Sequence, residues 1–263
     1  MKIGCCFGYK NHDAILLGKK AGFEFIEVAV TSFASATEED VADFARFLHE
    51  NGVECPGANC LFTDDIRLTG ENADFGAADA YLNRMLEKLR PIGLKHVVFG
   101  SGRVRSVPEG FSKEAATEQL VVYCRDHLAP IMEKFGLICG VEELFKPACN
   151  ILNTCRETME VVRRVNHPRI RLLVDMFHMG MENEDYATLA DYPGMISHVH
   201  ISSPKLKGEF PRPDDGEDYP LFFASLRSAG YPEDGLVSIE GHPNAADGLE
   251  VSSVRAYRLL KAL

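Results

Sequence analysis

The chain is poor in positive charge: 28 Lys and Arg against 39 Asp and Glu leave a formal net charge of -11 over 263 residues. A surface that grips nucleic acid or an anionic membrane needs clustered cations to neutralise phosphates, so this balance speaks against both as general partners. Also missing is any apolar run near the roughly 20 residues that a membrane-spanning helix requires. The opening Met1-Lys2-Ile3-Gly4-Cys5-Cys6-Phe7 has no long apolar core of the kind a secretory leader carries. A cytoplasmic protein is the expectation. Cysteine is not scarce, but Cys5, Cys6, Cys55, Cys60, Cys124, Cys139, Cys149 and Cys155 contain no CxxC pair, and several sit in apolar runs. That spacing excludes an ordinary structural zinc cluster and fits reduced, buried thiols. Linkers, low-complexity tracts and repeats are absent beyond a β/α alternation.

With 46% hydrophobic and 25% charged residues, the composition is that of a folded chain with a substantial core. Its length fits one domain spanning residues 1–263, because α/β barrels routinely reach about 250 residues undivided. Short apolar runs read as strands over Lys2 to Phe7, Phe23 to Val30, Glu54 to Asn59, His96 to Gly100, Leu137 to Glu142, Ile170 to Asp175, Ile196 to Ile201 and Leu236 to Glu240. Helical patterns lie between them. Thr37-Glu38-Glu39-Asp40 opens one with a capping signature, Val41, Phe44, Phe47 and Leu48 give it an apolar face, and Gly52 supplies the stop. Others are read over Ala77 to Leu89, Lys113 to Phe135, Thr154 to Val165, Leu221 to Ala229 and Ser252 to Leu263. Eight strands with eight crossovers favour a closed (β/α)8 TIM barrel over an open sheet. The loops Gly102 to Ser112 and Ser202 to Tyr219 then fall on the side where such barrels carry their chemistry.

Four of the strand runs end on a residue with metal-ligand chemistry: Glu142, Asp175, His200 and Glu240. A parallel barrel gathers such ends at one mouth whatever their separation in sequence. Three carboxylates and an imidazole make an oxygen-rich set that suits Mn²⁺ first, or Mg²⁺, with Co²⁺ and Zn²⁺ as further candidates. The competing interpretation is four unrelated polar strand ends that cap helices or pair with bases. Glu143 adjoins Glu142, and alternation along a strand sends only one of them inward; spacing alone does not choose. His198 shares a face with His200 but lies deeper, which makes it a hydrogen-bonded histidine beneath the site. His178 stands three residues beyond Asp175, placed either to donate to a substrate oxygen that becomes anionic or, as a loop histidine, to cap a helix. Glu27, a charge inside the apolar run Phe25-Ile26-Glu27-Val28, needs a buried partner and reads equally as site support or structural ion pair. His12, His49, His96, His127, His167 and His242 read as surface or structural.

Val141-Glu142-Glu143-Leu144, Leu173-Val174-Asp175-Met176-Phe177-His178-Met179, His198-Val199-His200-Ile201 and Val237-Ser238-Ile239-Glu240-Gly241 stand in the order and approximate spacing of a known family. The chain resembles, over essentially its whole length, the sugar isomerase/epimerase proteins with a xylose-isomerase-like TIM barrel, which include hydroxypyruvate isomerase, ketohexose 3-epimerases and inosose isomerases or dehydratases. The resemblance implies that Glu142, Asp175, His200 and Glu240 hold one divalent ion and that Glu142, rather than Glu143, moves protons together with Glu240. It implies a sugar-like substrate, proton transfer through a metal-stabilised enediolate, His178 as oxyanion donor, and a possible homo-oligomer. Ketohexose epimerases of this group carry a glutamate six residues after the first ligand and an arginine six after the metal histidine; here those positions hold Ala148 and Leu206. Lys205, Lys207 and Arg212 are the substitutes the loop offers, with Lys205 and Arg212 taken as substrate contacts and a solvated loop charge as the alternative for each. Arg103 and Arg105 on the fourth loop pose the same choice.

Three other functions compete. An inosose-type dehydratase would use the same site to expel a β-hydroxyl. An apurinic-site endonuclease-like phosphodiesterase would need three zinc ions, yet Asn59 to Leu61 and Gly100 to Gly102 contain no histidine, and no Asp-x-His unit follows His200. A non-catalytic sugar-binding protein would have no need of two proton-transfer glutamates.

Overall fold

In a computed structural model covering residues 1–263, eight parallel strands close in sequence order into a barrel, with the first pairing against the last. The strands are β1 (Lys2–Cys6), β2 (Phe25–Ala29), β3 (Gly57–Asn59), β4 (His96–Phe99), β5 (Ile138–Glu142), β6 (Ile170–Asp175), β7 (Ile196–Ile201) and β8 (Leu236–Ile239). Around them run α1 (His12–Ala21), α2 (Glu38–Glu50), α3 (Phe75–Lys88), the single turn α4 (Gly102–Arg105), α5 (Lys113–Tyr123), α6 (Ala129–Phe135), α7 (Cys155–Val165), α8 (Met176–Met181), α9 (Tyr219–Ser228) and α10 (Gly248–Lys261). No helix is long and apolar enough to cross a membrane.

Local chemistry accounts for the element ends. Thr37 accepts from the Asp40 backbone N–H while the Asp40 carboxylate accepts from that of Thr37, the reciprocal capping box its sequence suggests. Thr154 caps α7 by accepting from the Glu157 backbone N–H, and Met159, Val162 and Val165 give that helix a buried face opposite the exposed Arg163 and Arg164. The stretch from Lys113 to Phe135 is continuous but not uniform, with a π-turn over Cys124–Leu128 between α5 and α6. Pro130 explains it: proline has no N–H for an i−4 carbonyl and its ring crowds that carbonyl, so a wider turn relieves the clash. Helix α1 was not foreseen, its apolar face being only Ala14, Ile15 and Gly18.

The pairing of β6 with β7 shifts between Leu172 and Leu173, after which Leu173 faces His198 and Asp175 faces His200. Bulges of this kind re-aim side chains next to functional sites. Here the shift brings both histidines into the barrel interior with Asp175 beside His200. All eight cysteines are unpaired; six are buried, Cys6 is half-buried and Cys60 is exposed.

Candidate metal centre

Glu142 is the last residue of β5, Asp175 the last of β6, His200 the penultimate of β7, and Glu240 follows β8 directly. Strand pairing sets Asp175 against His200, so convergence comes from the barrel rather than from loop folding. One ligand atom from each of the four lies within 4.8 Å of the others. His200 Nδ1 is 3.0 Å from Glu142 Oε1 and 2.7 Å from Glu240 Oε2. The Glu142, Asp175 and His200 side chains are almost wholly buried, whereas that of Glu240 is 33% exposed, which opens it to a molecule arriving from above.

Close packing makes room for these groups. A methyl on Gly100 would overlap Glu142 Oε2, so only glycine at the end of β4 lets that carboxylate occupy its position. The Glu142 backbone is fixed from behind by Arg105, a fully buried guanidinium that donates to the carbonyls of Glu142 at 2.5 Å and Phe99 at 2.9 Å. Asn59 donates to Glu240 Oε1 at 2.6 Å. Asp175 accepts from the Phe177 backbone N–H at 2.7 Å with one oxygen, which starts α8. Glu143 turns the other way, as strand alternation requires, and accepts from the Asp175 backbone N–H at 2.8 Å. Burial raises its carboxyl well above the usual range.

The electrostatics are those of a site built for a cation. Burial, with Glu240 adding to it, pushes Asp175 up to about 7 against the pull of His200. Burial likewise raises Glu142, although His200 opposes it. For His200, burial acts downward, but the Glu240 and Glu27 carboxylates outweigh it and hold its proton well above the ordinary imidazole range. Glu240 is lowered, burial being overcome by the charge and hydrogen bond of His200. Without an ion, protons thus stand where a divalent cation would. Oxygen-rich donors around one imidazole nitrogen, under an excess of carboxylates, fit such a cation.

Above the ligands lies a cavity of about 790 Å³ whose wall includes all but the buried His200 of the four. Phe177 and His178 form part of that wall, as do Lys207 and His242. His178 Nδ1 faces the Phe145 backbone N–H at 3.4 Å, while Nε2 lies 3.6 Å from Asp175 Oδ2. Burial lowers its proton affinity, despite the carboxylates of Glu142 and Glu240, so the ring is neutral with its proton on Nε2.

Of the loop cations, Lys205 and Arg212 do not line the cavity: Lys205 bonds to the Gly216 carbonyl and lies 4.0 Å from Glu217, and Arg212 lies 3.3 Å from Asp214 and 3.9 Å from Glu209. The acidic loop residues Asp214 and Glu217 draw them aside, and Lys207 is the cation that this segment turns to the cavity. Arg103 reaches the rim paired with Asp64 at 3.0 Å. His242 and Asn59 are wall residues that no sequence pattern marked, because each follows from how neighbouring loops or strands abut. His198 does lie beneath the site, bonded through Nε2 to Glu27 at 2.7 Å, and the His96 ring lies against it, tilted by 36° with centroids 4.8 Å apart.

The profile described as xylose isomerase-like TIM barrel matches residues 15–257. The chain belongs to that family. Among its relatives is an inosose isomerase of Bacillus velezensis, 22% identical over 249 residues that make up 93% of this chain and 81% of the relative. The barrel also superposes on a D-allulose 3-epimerase of Methylomonas sp. solved with D-allulose, at a TM-score of 0.82 and 20% identity, covering 100% of this chain and 96% of that one. A second similar structure, the IOLI protein with a bound zinc atom, has a TM-score of 0.73 at 19% identity, over 98% of this chain and 96% of that one. Sugar isomerases and epimerases are among the relatives and structural neighbours of this barrel.

Proposed function

We propose that the protein is a divalent-metal-dependent isomerase or epimerase of a small polyhydroxy carbonyl compound, with Glu142 and Glu240 as its proton-transfer pair. The observation that carries this reading is the convergence of the two glutamates, with Asp175 and His200, on one atom-sized locus at the floor of the cavity. An ion held by these four side chains would polarise adjacent carbonyl and hydroxyl oxygens and acidify the hydrogen on the carbon between them. Mn²⁺ is the ion we assign.

Glu240, the ligand most open to the cavity, takes the proton from carbon, and Asn59 holds its Oε1 in place. Glu142, held by Arg105 and Gly100, supplies the returning proton. His178, neutral and carrying its proton on Nε2, donates to the oxygen of the enediolate as it becomes anionic. Return to the same carbon from the other face gives an epimer; return to its neighbour interconverts ketose and aldose. The inosose isomerase relative and the D-allulose complex both support a sugar-like substrate.

The test is solvent exchange. With the protein loaded with Mn²⁺ in D₂O, one or more members of a panel of ketopentoses, ketohexoses and inososes should gain deuterium at the carbon beside the carbonyl, with the epimer or isomer appearing alongside. No exchange in any of them by ion-loaded protein would contradict the proton-transfer roles, and loss of a hydroxyl in place of an isomer would move the reaction to dehydration.

A further inference from the structure

We infer that Glu27 is a positioning residue for the metal centre: its carboxylate holds His200 from beneath by Nε2 and thereby presents Nδ1, in one ring orientation and one tautomer, to the acidic ligands. The inference rests on the ion-binding reading above and adds a residue outside the ligand set.

Glu27 is fully buried on β2, across the barrel from β7, and is absent from the cavity wall, so it touches no substrate. Its Oε1 lies 3.0 Å from His200 Nε2. Its Oε2 takes His198 Nε2 at 2.7 Å and the Ser238 hydroxyl at 2.7 Å. Both oxygens are therefore occupied by donors from β7 and β8, which leaves the carboxylate no second orientation. The neighbouring strand yields space for it: a methyl at Gly57, paired with Glu27, would stand 3.1 Å from Oε2 and 3.3 Å from Cγ.

A carboxylate serving only to balance a buried histidine could take either ring nitrogen. Here it takes the one pointing away from the ligands, while Nδ1 faces Glu142 and Glu240. An imidazole bound to a carboxylate through one nitrogen presents the other as a fixed and more basic ligand, and loss of such a partner typically weakens metal affinity by about 10- to 100-fold. Glu27→Met keeps the approximate volume and removes both acceptors. Glu27→Gln keeps one acceptor and removes the charge.

The experiment reads the affinity for Zn²⁺ by competition with a chelator and the His200 ring ¹⁵N shifts in the Zn²⁺-loaded protein. In wild type, Nε2 should carry a slowly exchanging proton and Nδ1 should be the metal-bound nitrogen. Glu27→Met should weaken Zn²⁺ binding by about 10- to 100-fold and Glu27→Gln by less. Affinities within twofold of wild type in folded variants, or wild-type His200 ligating through Nε2, would overturn the inference; the wild-type spectra decide even if neither variant folds. Wild type that binds no ion at all would instead remove the ion-binding reading, and this inference with it.

Discussion

Glu240→Gln should leave a folded barrel that exchanges the substrate's carbon-bound proton about 10²- to 10⁴-fold more slowly, the usual range for removing a general base. The amide matches the carboxylate in size and keeps one acceptor oxygen, enough for Asn59 or for His200 but not for both, so the loss around β8 is confined to one hydrogen bond. What it cannot do is accept a proton from carbon. Measured at saturating Mn²⁺, to separate weakened ion binding from lost chemistry, exchange should fall while circular dichroism and melting temperature stay near wild type. Exchange at the wild-type rate would remove Glu240 from the reaction.

Asp175→Asn should make the ion-free protein more stable at pH 8 than wild type. A carboxyl whose folded pKa stands at about 7, against an ordinary 3.8, binds its proton more tightly in the folded state. Its contribution therefore turns unfavourable as pH rises from about 4 through 7, reaching on the order of 4 kcal/mol above that window. Asparagine cannot ionise and still accepts from the Phe177 N–H, so it escapes that penalty. The two proteins should melt close together below about pH 4 and diverge from there to about pH 7 in the presence of chelator. Added Mn²⁺ should reverse the order, stabilising wild type strongly and the variant weakly. A variant less stable than wild type at pH 8 without ion would mean that Asp175 is ionised and well solvated there.

The fold was legible because its signals are local. Each strand is a short apolar run between breakers, and the β/α alternation repeats often enough to demand closure. The meeting of Glu142, Asp175, His200 and Glu240 was legible for the same reason: in a parallel barrel a strand's last residue has a known destination. Other features depend on distances that no single segment encodes. Whether Glu27 reaches His198 and His200 is set by barrel diameter and stagger between β2 and β7, not by its neighbours in sequence. In sequence Arg103 and Arg105 read alike, each as a substrate contact or a solvated loop charge, yet the turn α4 sends Arg103 to the rim and buries Arg105 under Glu142. Lys205 and Arg212 read as substrate contacts because they share a loop with Leu206, at whose position ketohexose epimerases of this group carry an arginine; in the structure acidic residues of their own loop lie against them. Long side chains on loops have many destinations, and sequence rarely chooses among them.

The most direct measurement is metal content per chain after controlled loading and removal of excess, for wild type beside Glu240→Ala. Wild type should retain one divalent ion of the Mn²⁺, Mg²⁺ or Co²⁺ type, and Glu240→Ala should retain it weakly or not at all. Three zinc ions per chain would point to phosphodiester hydrolysis, and wild type without any specifically bound ion would contradict the metal centre itself.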